Sequence, residues 1–118
     1  LTSIGAVPYD ETIAERLRRL VAGEEGVSEQ RIFGGLAFLV NGNMAVAASG
    51  QGGVLVRVDP AESDELVAAT AAEPMEMRGR PMAGWLRLAA ADVAGEQELE
   101  AWARRGVAYA RGLPPKRR

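Results

Sequence analysis

The dipeptide Asn41-Gly42 stands between two apolar runs, 36–40 and 43–48. A two-residue type I′ turn needs positive φ at both central positions, and Asn-Gly meets that need at little cost. The spacing predicts a β-hairpin at the centre of the chain, and so an antiparallel sheet. A short strand over 30–33 precedes it. A looser turn over 49–53 follows, then a strand over 54–58. In that strand Val54, Val56 and Val58 share one face and are assigned to the core, while Leu55 and Arg57 take the other.

Helical signals flank the meander. Asp10 is placed to cap a first helix, and Thr12 with Glu15 offers an alternative capping box. Ile13, Leu17, Leu20 and Val21 repeat at helical spacing, and Gly23 is the expected stop. Asp59-Pro60-Ala61-Glu62 supplies an N-cap, a proline at the first helical position and a glutamate at the third. It predicts a helix over 60–71 anchored by Leu66. Met75 to Met77 reads as a strand, 78–81 as a turn, and 84–89 as a partner strand. There Trp85 and Arg87 share one face, Leu86 and Leu88 the other. The last helix is expected over 96–112, with Leu99, Trp102, Ala103, Gly106, Tyr109, Ala110 and Leu113 on one face and Glu100–Arg104 as an i, i+4 pair. Pro114-Pro115 stops it. The order α-β-β-β(-β)-α-β-β-α, with strands in hairpin succession, implies a two-layer α+β fold with helices packed on an antiparallel sheet.

The 118 residues contain no cysteine and no histidine. That removes disulfides, thiolate zinc sites and imidazole-assisted nucleophiles. The length suits one domain, expected over 9–115, with a loosely ordered leader at 1–8 and a basic tail at 116–118. The net charge of −2 gives no global field for nucleic acid. No run of eighteen apolar residues is present, and the start lacks the basic and apolar regions of a secretory signal, so the expected setting is the cytoplasm, away from membranes.

Five groups of residues are candidate sites. Gly34-Gly35, and the glycines of "GQGGVL", lead into strands rather than helices, and no Gly-Lys-Ser/Thr exists, so a P-loop is excluded. A bulge or sharp bend at Gly34-Gly35 is the plainer expectation. Arg57, Arg78, Arg80, Trp85 and Arg87 form a candidate binding surface for a protein or a small anion. The competing view is a solvated hairpin whose charges guard a sheet edge. Arg104, Arg105, Arg111, Lys116, Arg117 and Arg118 are candidate phosphate contacts, set against the plain preference of helix C-termini for cations. Met44, Met75, Met77 and Met82 line either a groove or a core. Glu73 and Glu76 are the nearest thing to paired carboxylates, and their spacing suggests no acid/base role. No cofactor or metal is called for, and no catalytic residue is assigned.

"RIFGGLAFLVNGNMAV" resembles the R-M-F-G-G signature of a known family and the strand pair that follows it. "GGVLVRVDP", "EPMEMRGRPMAGWLRL" and "LEAWARRGVAYARGLPPK" match the same family in order and spacing. The chain is similar to the N-terminal domain of TfoX (Sxy), the competence regulator, and to its stand-alone relatives, over about Tyr9 to Lys116. Ile32 stands where the family usually has methionine. Phe33, Gly34, Gly35, Asn41 and Gly42 carry the signature as structural residues. The resemblance implies a secretion-chaperone-like α+β fold in a single-domain relative, without the regulator's second helical domain. It also implies a non-enzymatic role. The expectation is action through protein contact, with a homodimer as one form of it, and a regulatory association. Nucleic-acid contact through the basic C-terminal helix is the less favoured alternative.

Overall fold

The computed structural model describes residues 9–32 and 34–116. The expected leader at 1–8, the signature residue Phe33 and the tail residues Arg117 and Arg118 lie outside those residues. The elements are α1 (Glu11–Leu20), β1 (Val27–Ile32), β2 (Gly35–Val40), β3 (Asn43–Ala48), β4 (Val54–Arg57), α2 (Ser63–Ala69), β5 (Glu73–Met77), β6 (Arg80–Leu88) and α3 (Glu96–Arg111). Short 3-10 turns at Pro60–Glu62 and Ala90–Val93 lead into α2 and α3. The strands form one antiparallel sheet in the order β1-β2-β3-β4-β6-β5.

The central hairpin closes as the sequence requires. Asn41 and Gly42 both have positive φ, 53° and 85°. Val40 pairs with Asn43 directly across the turn. Asn43 is buried, and its Nδ2 donates to the Pro114 carbonyl at 2.9 Å. The Lys116 amide donates to the Asn41 carbonyl at 2.8 Å. The residues after α3 are thereby tied to the hairpin turn.

Helices cover one face of the sheet. Ile13 and Leu17 from α1, and Leu99, Ala103, Val107 and Ala110 from α3, pack on Leu36, Phe38, Val40, Val46, Val54, Val56, Leu86 and Leu88. The three valines 54, 56 and 58 are all in this core, as their alternation predicts. A bulge sets the fit between sheet and α3. The β2–β3 register shifts at Phe38/Leu39, which leaves Ala45 without a partner. Ala45 and Val46 therefore both turn toward the helices, while Met44 and Ala47 point away.

Several local expectations are corrected. Of the bulge or sharp bend expected at Gly34-Gly35, the chain makes the bend, sharpened into a hairpin turn. Ile32 pairs with Gly35, so Gly34, at φ 77°, lies in the turn between β1 and β2. The register shifts fall at Phe38/Leu39 and Pro74/Met75 instead. The first strand begins at Val27, three residues earlier than its weak apolar pattern suggests, because its ladder to β2 sets its length. Gly23 is not the helix stop. Val21 caps α1, and Gly26, at φ 76°, takes the left-handed position before β1. At the other end Asp10 is the N-cap, accepting from the Thr12 and Ile13 amides, so the Thr12–Glu15 box is not the one used.

The helix expected over 60–71 is a 3-10 turn followed by the shorter α2. Asp59 does cap, accepting from the Ala61 amide at 2.9 Å. The Ser63 hydroxyl then takes the Gly84 amide at 2.9 Å, which pins this junction to β6. Thr70 ends the helix, because its hydroxyl donates to the Leu66 carbonyl and accepts from the Ala72 amide. Leu66 is only half-buried and shares the contact with Val67. β6 also starts earlier than expected, at Arg80, and pairs with β5 through a tight turn in which Arg78 and Gly79 both have positive φ.

Candidate functional site: the helix-free face of the sheet

An ordinary antiparallel strand with one solvated face alternates apolar and polar residues. β2 and β3 do not alternate. Every residue of both is buried, although helices cover only one side. Their second apolar face is Ala37, Leu39, Met44 and Ala47, extended by Ile32, Leu55 and Trp85. No residue of α1, α2 or α3 joins this cluster.

The face is the floor of a cleft of about 960 Å³. One wall is the β5–β6 hairpin, which brings Met75, Met77 and Met82 over the floor beside Met44. The turn over 49–51 closes one end, and Gly42 with Lys116 borders the other. Glu73 and Glu76 lie along the β5 wall. All four methionines line the cleft, and Met44 is at the same time part of the buried cluster that forms its floor. Methionine is unbranched and polarizable, and it adapts to differently shaped apolar partners.

The candidate surface Arg57, Arg78, Arg80, Trp85 and Arg87 divides in two. Arg57, Trp85 and Arg87 line the cleft, in a ladder where Leu55 pairs with Arg87 and Arg57 pairs with Trp85. The Arg57 guanidinium carbon is 4.9 Å from the Trp85 ring centre and 5.8 Å from that of Tyr109. Arg78 and Arg80 sit at the exposed end of the β5–β6 hairpin, outside the cleft lining.

The cations of the helices stand differently. Arg104 meets Glu100 at 2.6 Å, Arg105 meets Glu62 at 3.4 Å, and Arg111 meets Glu24 at 2.9 Å. Arg111 also donates to the Glu25 carbonyl. The segment carries no acid next to these arginines in sequence, but the fold brings glutamates from distant positions. The described part of the proposed phosphate-contact set is therefore largely neutralised, and Lys116 lies at the cleft border. In α1, Arg16 pairs with Glu96, and Arg18 with Glu15 and Glu29. The Arg18 hydrogen bond holds the Glu29 carboxyl below its ordinary range, against an opposing desolvation effect. Among the described residues no carboxylate lies within ion-pair distance of Arg57 or Arg87.

Arg57, Trp85, Arg87 and the methionines stand out in the sequence, but the floor residues Ala37, Leu39, Ala47 and Leu55 do not. The signal was present in the unbroken apolar runs on either side of Asn41-Gly42. Two strands apolar on both faces need a cover on both, and the three helices cannot supply it.

Among the described residues no three His, Cys, Asp or Glu side chains gather as a metal site. No helix among them is long and apolar enough to cross a membrane. No curated protein sequence matches the chain. The family model for the TfoX N-terminal domain matches residues 19–110, which takes in the sheet, all of the cleft lining but Lys116, and nearly all of α3. The chain belongs to the TfoX N-terminal domain family.

Proposed function

We propose that the domain is a non-enzymatic protein-binding module and that the helix-free face of its sheet is the working surface. One observation carries the reading: a methionine-lined apolar cleft lies on the sheet face that no helix among the described residues covers. Contiguous apolar surface of this kind, edged by polar groups, is characteristic of interaction sites. A tryptophan and two arginines at its margin are residue types enriched in binding hot spots. The chain's lack of cysteine and histidine agrees with action by contact rather than by chemistry. The family link extends the proposal to transcriptional or competence-type regulation in the cytoplasm.

Site-directed photo-cross-linking in the native host tests it. A photoreactive residue placed at Leu55 or Met82 is expected to give a discrete protein adduct, while one at the exposed Ala108 of α3 gives none. An adduct of twice the chain's mass would identify a second copy as the occupant. Adducts from Ala108 alone, or from no position, would overturn the assignment of the surface.

A further inference from the structure

The cleft's polar groups narrow the chemistry of its occupant. Arg16, Arg18, Arg19, Arg104, Arg105 and Arg111, on the helices, all have carboxylate partners. Arg57 and Arg87 are half-buried in the cleft and have none. A guanidinium carries five N–H donors and no acceptor, so its unmet donors select an anionic group. Arg87 faces Glu73 across the β5–β6 ladder, outside ion-pair distance, and Glu76 lies further along that wall. Arg57 has aromatic neighbours instead, Trp85 and Tyr109. A carboxylate is therefore best placed over the β4–β6 ladder.

The form of the occupant follows from the floor. The inner strands β2, β3, β4 and β6 are already paired on both sides, so the floor they form offers no backbone donors or acceptors. An extended segment laid over them would leave its own amides unmet, whereas a helix satisfies them internally. The cleft draws lining residues from all strands of the six-stranded sheet. At about 4.8 Å per strand the span is roughly 24 Å, the length of a helix of about 16 residues. Arg57 and Arg87 are diagonal neighbours, about 7–8 Å apart. Side chains at i and i+4 of a helix are about 6 Å apart, a distance two long arginine side chains can meet.

We propose that the cleft takes an amphipathic α-helix of a partner protein whose apolar face is edged by two carboxylates one turn apart, set on Arg57 and Arg87. This rests on the protein-binding reading above and specifies its partner.

The probes are two synthetic helical peptides of about 16 residues with the same leucine-rich face. One carries glutamates at the i and i+4 edge positions, the other lysines. Fluorescence anisotropy of each dye-labelled peptide with the full chain is the measurement. The glutamate peptide is expected to bind about ten-fold more tightly, since two attractive pairs replace two repulsive ones. The preference should reverse in the variant Arg57→Glu/Arg87→Glu, with its fold checked by circular dichroism. Equal binding of the two peptides to the native chain, or tighter binding of the lysine peptide, would overturn the carboxylate assignment and leave the protein-binding reading standing. Binding of neither at millimolar protein would overturn both. That comparison needs no variant to fold. Retention of the glutamate preference by a folded double variant would place the charge recognition elsewhere and overturn the proposal.

Discussion

The Arg57 guanidinium lies against the Trp85 indole, 4.9 Å from ring centre to guanidinium carbon, with the Tyr109 ring 5.8 Å away on α3. Arg57 is one residue beyond the last β3–β4 pair, Val46 with Val56. Its side chain thus reaches aromatic rings contributed by both the sheet and the helix layer. A double-mutant cycle of Arg57→Ala and Trp85→Leu, read by urea unfolding, is expected to give a coupling of about 0.5–1 kcal/mol. Strict additivity would mean that the two side chains do not interact in solution.

Gly106 tests the packing of α3 on the bulged strand. A methyl group built there would fall on the Ala45 carbonyl oxygen and lie 3.4 Å from Val56 Cγ1. Helix propensity alone would make Gly106→Ala stabilising by about 1 kcal/mol. The clash is with backbone, which cannot swing aside. The substitution is therefore expected to be net destabilising by about 1–3 kcal/mol, as for overpacked cores. A gain in urea midpoint would show that α3 does not sit this close to β3.

Glu29 carries a pH signature. The hydrogen bond from Arg18 lowers its pKa in the folded chain, with Nε to Oε2 at 2.6 Å. A carboxyl with a depressed folded pKa adds stability above its unfolded pKa, and that contribution is lost as pH falls through the folded value. Glu29→Gln should therefore reduce stability at neutral pH and flatten the fall in melting temperature below about pH 4.5, near the ordinary value of a glutamate. Thermal melts of both proteins from neutral to acid pH make the comparison. The effect is small because the pair is solvent-exposed. Parallel curves for the two proteins would dissociate Glu29 from Arg18.

The parts of this fold legible in the sequence are those fixed by local chemistry. Asn41-Gly42 needs positive φ, Asp59 caps, and Val54, Val56 and Val58 alternate; each is found as read. The parts that were not legible depend on partners far along the chain. The bend at Gly34 is readable, but that it reverses the chain into a hairpin follows only from the pairing of Ile32 with Gly35. Arg105 and Arg111 read as free cations until Glu62 and Glu24 are brought beside them. The cleft is an intermediate case. Alternation along the strands puts Arg57, Trp85 and Arg87 on one face. That this face is concave, and walled by Met75, Met77 and Met82, follows from the hairpin of β5 and β6 over the sheet.

The chain's four methionines, Met44, Met75, Met77 and Met82, all line the cleft. Their ε-methyl groups are thus a built-in probe of its occupancy. In a chain labelled with methyl-¹³C methionine, the partner recovered by cross-linking is titrated in and the methyl resonances are followed. All four are expected to shift or broaden together as the partner saturates, and Trp85 indole fluorescence to change with them. Saturation by the partner with the four methyl signals unmoved would show that it binds elsewhere and would contradict the assignment of the cleft as the binding surface.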